Sequence, residues 1–351
     1  MRRNHLIMTV LATSILILFL IFSFGCTKQE VTESKKRLKA EPVKDGILNN
    51  LPLAANSGRP IAIMVENSFA ARPQSGLIFA DIVFEVVDEY GITRFVAIFS
   101  SNEPTAVGPV RSARPYYAEI ARGFNPIYVF FGTYPDCYGV IEDMGMQTLS
   151  AMTDRSGHSS ITAQAPYWRD WSRSSIQEHT AFMSVPQLKQ SAQNLGYSLN
   201  GTLPFPYKAN PPLSHRGNIS NIHVSFATHA YAPRGFDLEY IYDKNSNSYY
   251  RHMGGYPHKD YDTGKQITAK NVVVMSTDIQ GPLDRYGHMS VRTTGSGTAF
   301  IFQDGKAIKG TWHRNSIYEP YTYKDSDGHI ISFTSGATWI AIVQGEDKVS
   351  Y

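Results

Sequence analysis

An apolar run from Leu6 to Phe24 sets the first limit on what this chain folds into. It is preceded by Arg2 and Arg3, and it stops at Gly25-Cys26 before the polar Thr27-Lys28-Gln29-Glu30. Basic start, apolar middle and small-residue stop are the layout of a secretory signal, so residues 1–25 are set apart from any globular core. The nineteen residues of this run at ~1.5 Å each reach roughly 28 Å, which would also suit an uncleaved anchor across a bilayer. Cys26 favours cleavage and lipidation, because a bacterial lipobox places a small residue, here Gly25, directly before a Cys whose thiol is acylated. Ser23 and Phe24 depart from that box, where Leu and a small or β-branched residue are usual. Both readings put the protein on the cell membrane, facing the extracytoplasmic side.

Lipidation of Cys26 leaves Cys137 alone of the two cysteines, so no disulfide forms within the chain and stability must come from burial. The 42% of hydrophobic residues supplies one large core or two moderate ones. Loss of residues 1–25 removes Arg2 and Arg3, which takes the formal charge from +3 to +1 over the remaining 326 residues. A near-neutral protein has no global attraction to nucleic acid.

Residues 26–59 carry no apolar period and read as a flexible tether that lifts the folded part off the lipid. A first module, 60–203, opens with the buried-strand pattern Ile61-Ala62-Ile63-Met64-Val65. Asp81 to Val87 and Ile92 to Ser100 follow as a hairpin about Glu89-Tyr90-Gly91. With Tyr90 and Gly91 as the turn, Glu85 faces Val96, Val87 faces Arg94, and Arg94 lies beside both Glu85 and Glu89. Pro115 suits a first helical turn continued by Tyr116 to Arg122, and Ile127 to Phe131 is a further strand. The polar stretch 204–221 reads as a linker. Residues 222–351 alternate short strand patterns, Ile330 to Ile342 the last of them, with turns such as Asp304-Gly305 and Asp327-Gly328. The expected fold is α+β, a mixed sheet with helices followed by a mainly β module.

Several motifs carry a resemblance: Pro60 to Asn67, Ala71-Arg72-Pro73-Gln74-Ser75-Gly76-Leu77, Gly91-Ile92-Thr93-Arg94-Phe95 and Gly108-Pro109-Val110-Arg111-Ser112-Ala113-Arg114-Pro115-Tyr116. Gly295-Ser296-Gly297, Gly310-Thr311-Trp312 and Gly336-Ala337-Thr338-Trp339-Ile340 add to it further on. Over roughly Pro60 to Val343 the chain resembles the YerB-like lipoprotein family of Gram-positive bacteria, a family of unknown function. The resemblance implies an envelope location and two successive modules, and it hands over no catalytic residue. Where related sequences have a Pro-His-Asn element, this chain has Gln177-Glu178-His179-Thr180.

The densest polar set is Glu66, Arg72, Asp81, Glu85, Glu89, Arg94, Arg111 and Arg114 among apolar strands. Such charges are either mutually paired, with Arg94 bridging Glu85 and Glu89, or they line a cleft. In the second case the helix start from Ser112 to Pro115, with free N–H groups beside Arg111 and Arg114, favours an anion. Arg72, Arg94, Arg111, Ser112 and Arg114 are then ligand contacts, and Trp168 and Trp171 join them from an exposed aromatic loop. The catalytic candidates are Glu66 and Glu85, as carboxylates of a wall-glycan hydrolase or lytic transglycosylase. Glu85 with Glu89 is excluded as a pair, since four strand residues span about 13 Å where roughly 5 to 9.5 Å is needed. His252 and His258 read as loop residues, Gly295-Ser296-Gly297 as a turn, and Cys137 as an inert thiol. No metal and no cofactor is expected. The leading expectation is a non-catalytic binding or regulatory lipoprotein that engages an anionic or glycan ligand. Its partners would be the membrane, through the lipid, and peptidoglycan, another wall polymer or a wall-synthesis protein.

Overall fold

The computed structural model describes residues 58–226 and 235–351. Cys26, the signal segment and nearly all of the tether lie outside the described residues. Among the described residues no helix is long and apolar enough to cross a membrane.

Among the described residues, five strands of three residues or more come from the first half: β1 (Ile61–Glu66), β2 (Ile82–Val87), β3 (Thr93–Phe99), β4 (Ile127–Phe130) and β5 (Thr148–Ser150). Eight more come from the second: β6 (Asn221–Val224), β7 (Leu238–Asp243), β8 (Ser248–Met253), β9 (Asn271–Ser276), β10 (Gly295–Gln303), β11 (Lys306–Arg314), β12 (Thr322–Lys324) and β13 (Thr338–Val343). Among the described residues the α-helices are α1 (Pro115–Arg122), α2 (Pro135–Asp143) and α3 (Val185–Asn194), each with Pro in its first turn, where the missing N–H costs nothing. The fold is α+β, with a mixed sheet and a mainly β second half.

A ten-stranded sheet runs β12-β11-β10-β9-β13-β2-β3-β1-β4-β5. Strands from both sides of residues 204–221 therefore lie in one sheet, joined where β2 pairs in parallel with β13. The stretch 204–221 is itself packed: Phe205 is buried and Tyr207 pairs with Phe333. Both faces of the sheet are covered, which explains why β1, β2, β3 and β13 are buried at every position. On one face α1 and α2 pack over Met64, Phe84, Val96 and Ile340. On the other, α3 and a second sheet built on β6, β7 and β8 pack over Val65, Val83, Phe95 and Trp339.

The hairpin register differs from the sequence expectation by one residue. Glu85 faces Phe95, Val86 faces Arg94 and Val87 faces Thr93. The connection is a tight 3-10 turn, Glu89–Gly91, with Tyr90 at φ 58, so the turn holds one residue more than a two-residue loop. A slip of one residue exchanges the faces. Arg94 therefore points to the helix side and Glu85 to the small-sheet side, and Arg94 does not bridge Glu85 and Glu89.

Three smaller corrections follow. Gly295-Ser296-Gly297 begins β10 and is not a turn. Residues 330–342 are two strands, Phe333–Thr334 and Thr338–Val343, and not one. His252 lies on β8, and His258 is buried inside the protein rather than in an open loop.

Candidate functional site

β1, β2, β4 and β5 run parallel to one another, and a cleft of about 520 Å³ opens off their carboxyl ends. In open α/β sheets that edge is where ligands bind. Glu66 ends β1, Asp88 and Glu89 follow β2, and Arg94 lies near the start of the antiparallel β3. Arg114 and Tyr134 are the residues immediately before α1 and α2, so two helix N-termini face the same space. Their unpaired N–H groups and dipoles favour negative charge there. Tyr90, Tyr286 and His288 complete the rim, the last two from the second half of the chain.

The charges in the cleft are arranged in two groups. Arg94 pairs with buried Asp88 and lies 3.9 Å from Glu89, while its Nη1 donates to the Ser112 carbonyl. Arg114 grips Glu89 with both edge nitrogens, Nε to Oε1 and Nη2 to Oε2 at 2.7 Å. Burial pushes the Asp88 carboxyl up to about 6 against the pull of Arg94 and Arg114, and neighbouring Glu89 adds to the rise. Burial also raises Glu89, but the hydrogen bond and charge of Arg114, with Asp88 and Arg94, together outweigh it and hold the carboxyl at about 2. Tyr134, pushed up to about 12 by burial, stacks 4.5 Å from His288, whose Nδ1 lies 2.6 Å from Asp284.

The second group centres on Glu66. Its Oε1 accepts from Ser68 Oγ at 2.7 Å and its Oε2 lies 2.8 Å from His179 Nδ1. Arg111 reaches Glu66 only at 3.6 Å and Glu178 at 3.1 Å, and its buried Nε has no hydrogen-bond partner among the described residues.

Of the residues singled out from sequence, Glu66, Glu89, Arg94, Arg111 and Arg114 line the cleft. Ser112 contributes its backbone carbonyl, and its hydroxyl donates to Phe131 O at 3.3 Å. Glu85 does not line the cleft. At 1% exposure it is sealed between the sheets, held by Arg251 Nη2 at 2.6 Å and by Thr93 Oγ1 at 2.6 Å. Arg251, fully buried, also donates to His258 Nδ1 at 2.9 Å and to Tyr240 Oη, and stacks 4.3 Å over Trp339. His258 in turn bonds Gln74 at 2.9 Å, and burial, then Arg251, holds its proton affinity well below the usual histidine value.

Arg72 lies outside the cleft, sandwiched 4.6 and 4.7 Å from the rings of Phe69 and Phe236 and bonded to Asn67 and to Gly235 O. The same Ala71-to-Leu77 motif holds Gly76 at φ 84, where a Cβ would strike Ala106 O at 2.4 Å. Asp81 sits at the far end of β2, accepting from the backbone of Ser100 and Ser101. Trp168 and Trp171 are exposed on their loop and do not line the cleft. Cys137 is buried in α2, and burial raises its thiol to about 11.

Asp88, His179, Arg251 and His288 were not assigned from sequence. Asp88 stands beside Glu89 at a strand end, which was a local signal. Arg251 occupies the inward position between Tyr249 and Met253, and a lone cation on the buried side of a strand implies a buried partner.

Comparisons with known proteins bear on this arrangement. Models described as "Protein of unknown function (DUF3048)" match in both parts, the N-terminal domain over residues 49–198 and the C-terminal domain over residues 226–340. The "Putative lipoprotein YerB" of Bacillus subtilis (strain 168) is 31% identical over 352 residues, with 98% of this chain and 97% of that protein covered. This chain belongs to the YerB-like DUF3048 family. The crystal structure of the YerB protein from Bacillus subtilis matches with a TM-score of 0.72 at 30% identity, covering 86% of this chain and 98% of that one. Within the family frame, the N-terminal domain supplies the floor of the cleft from Glu66 to Tyr134, and the C-terminal domain lends Tyr286 and His288.

Proposed function

We propose that this protein is an extracytoplasmic lipoprotein, anchored in the cell membrane through lipid on Cys26, that binds an anionic or glycan ligand of the envelope in the cleft between Arg94, Arg111 and Arg114. It acts there as a non-catalytic binding or regulatory component, with a wall polymer such as peptidoglycan, or a wall-synthesis protein, as partner. The observation that carries the reading is Arg111, a cleft cation whose Nε lacks a hydrogen-bond partner while the other two arginines are taken up by Asp88 and Glu89. Helix N-termini beside it and half-exposed tyrosines at the rim suit a negatively charged group on a sugar or peptide body. The wall-hydrolase reading loses support, because Glu85 is inaccessible and Glu66 is held by Ser68 and His179.

Two measurements test the proposal. Cys26→Ser should abolish incorporation of labelled fatty acid and release the protein from the membrane fraction. Purified cell wall should retain the wild-type protein, and Arg111→Gln should reduce retention with an unchanged unfolding transition. Equal retention of the two forms would defeat the cleft assignment.

A further inference from the structure

Arg111 and Arg114 both line the cleft, and only one of their Nε–Nη2 edges is filled by a carboxylate fork. On Arg114, Glu89 takes both positions as a fork. On Arg111, Nη2 meets Glu178 Oε2 at 3.1 Å, but Nε is buried without a hydrogen-bond partner among the described residues. The carboxylate near that Nε belongs to Glu66, 3.6 Å away, and both its oxygens are already engaged by Ser68 and His179. The backbone of Arg111 is fixed beside this site: its N–H donates to Met64 O and its carbonyl accepts from Phe131 N, each at 3.0 Å. Glu178, by contrast, is 64% exposed on a short turn and can leave for solvent.

We propose that Arg111 is a half-filled carboxylate slot, that Glu178 is the chain's own placeholder in it, and that the ligand carries a free carboxylate which displaces Glu178 and bonds Nε and Nη2 together. This deepens the binding reading above and rests on it. Charge balance favours one negative charge over two. With Glu178 gone, the cleft walls hold Glu66, Asp88 and Glu89 against Arg94, Arg111 and Arg114, three charges of each sign. A single anion then restores the charge that Glu178 contributed, whereas a dianionic phosphate meets three carboxylates.

The test uses the full chain in detergent and isothermal titration with four probes: a disaccharide containing N-acetylmuramic acid with its lactyl carboxylate free, the methyl ester of the same disaccharide, a glycerol phosphodiester, and inorganic phosphate. The free acid should bind best, and the ester should bind at least about tenfold more weakly. Glu178→Gln should tighten the acid by about two- to fivefold, the worth of an exposed ion pair, and leave the ester unchanged. Arg111→Gln should bring the acid down to the level of the ester. An unchanged acid affinity in Glu178→Gln, or either phosphate probe binding as well as the acid, overturns the slot. Loss of acid binding in Arg111→Gln with a silent Glu178→Gln would overturn the placeholder and leave the cleft reading standing. Wild-type affinity in Arg111→Gln, or no binding of the acid at all, would overturn both.

Discussion

Truncating Glu85 to Ala tests whether this carboxylate is a strut or a catalyst. The substitution leaves the Arg251 guanidinium fully buried, with Tyr240 Oη, His258 Nδ1 and the weak acceptor Met253 Sδ as its remaining side-chain partners and without the Glu85 anion. It also strips Thr93 Oγ1 and Asn67 Nδ2 of an acceptor at 2.6 and 3.2 Å. Removing one partner of a buried pair costs about 3–5 kcal/mol, because the orphaned charge stays out of water. Against a typical domain stability of about 5–15 kcal/mol this is roughly a fifth of the total or more. In urea unfolding followed by tryptophan fluorescence, the midpoint should fall by roughly 1–2 M. The double substitution Glu85→Leu with Arg251→Met removes both charges and should recover most of the loss, to within about 1–2 kcal/mol of wild type. A single-variant loss under about 1 kcal/mol, or a double variant as unstable as the sum of the two singles, would refute the strut.

The remaining outcomes concern titration, reactivity and exposure. Asp88, raised to about 6, binds more protons folded than unfolded, so its contribution is fully present below pH ~4 and is lost as pH rises through about 6. The stability of Asp88→Asn relative to wild type should therefore rise between pH 4 and 6 in urea titrations, and a flat or falling difference contradicts the assignment. Cys137, buried with its thiol raised to about 11, should resist iodoacetamide at pH 8 in the folded protein and react readily in denaturant. Trp171 is 56% exposed and Trp339 is 1% exposed. Trp171→Ala should change the urea midpoint little, within about 0.5 kcal/mol, while Trp339→Ala should cost about 3–5 kcal/mol.

The local parts of this fold were legible in the chain. The apolar runs at Ile61 and Ile82 and the Pro115 helix start each became the expected element, because burial on both faces writes near-continuous hydrophobic strands. Five charges of the polar set, Glu66, Glu89, Arg94, Arg111 and Arg114, line one cleft, because most of them stand at or beside the ends of elements that share one edge of the sheet. The hairpin register was not legible, since a turn of Glu-Tyr-Gly can hold two or three residues and only the left-handed Tyr90 decides which. The partner of Glu85 was not legible either. Arg251 stands 166 residues away, and nothing local to either residue encodes the layer that brings them together. The stretch 204–221 shows the same limit from the other side: its polar, Pro-rich composition suggests a linker, yet β2 finds its neighbour β13 across it.

The register of β2 against β3 is also what gives the cleft its order. Along β3, Thr93 turns to the small-sheet side and Arg94 to the helix side, and at the end of β1 the same alternation separates Asn67 from Glu66. The sealed side is satisfied throughout: Asn67 and Thr93 bond each other and Glu85, and Glu85 bonds Arg251. The open side retains a donor, Arg111 Nε, without a partner among the described residues. Backbone fixed by the sealed network at 67 and 93 is the backbone from which Glu66 and Arg94 project one residue away. Their geometry is thus held by bonds that solvent and ligand do not reach, which is the arrangement a preorganised binding site requires. A substitution on the sealed side should register as stability and one on the open side as affinity, and the separation follows from the period of two in a β-strand.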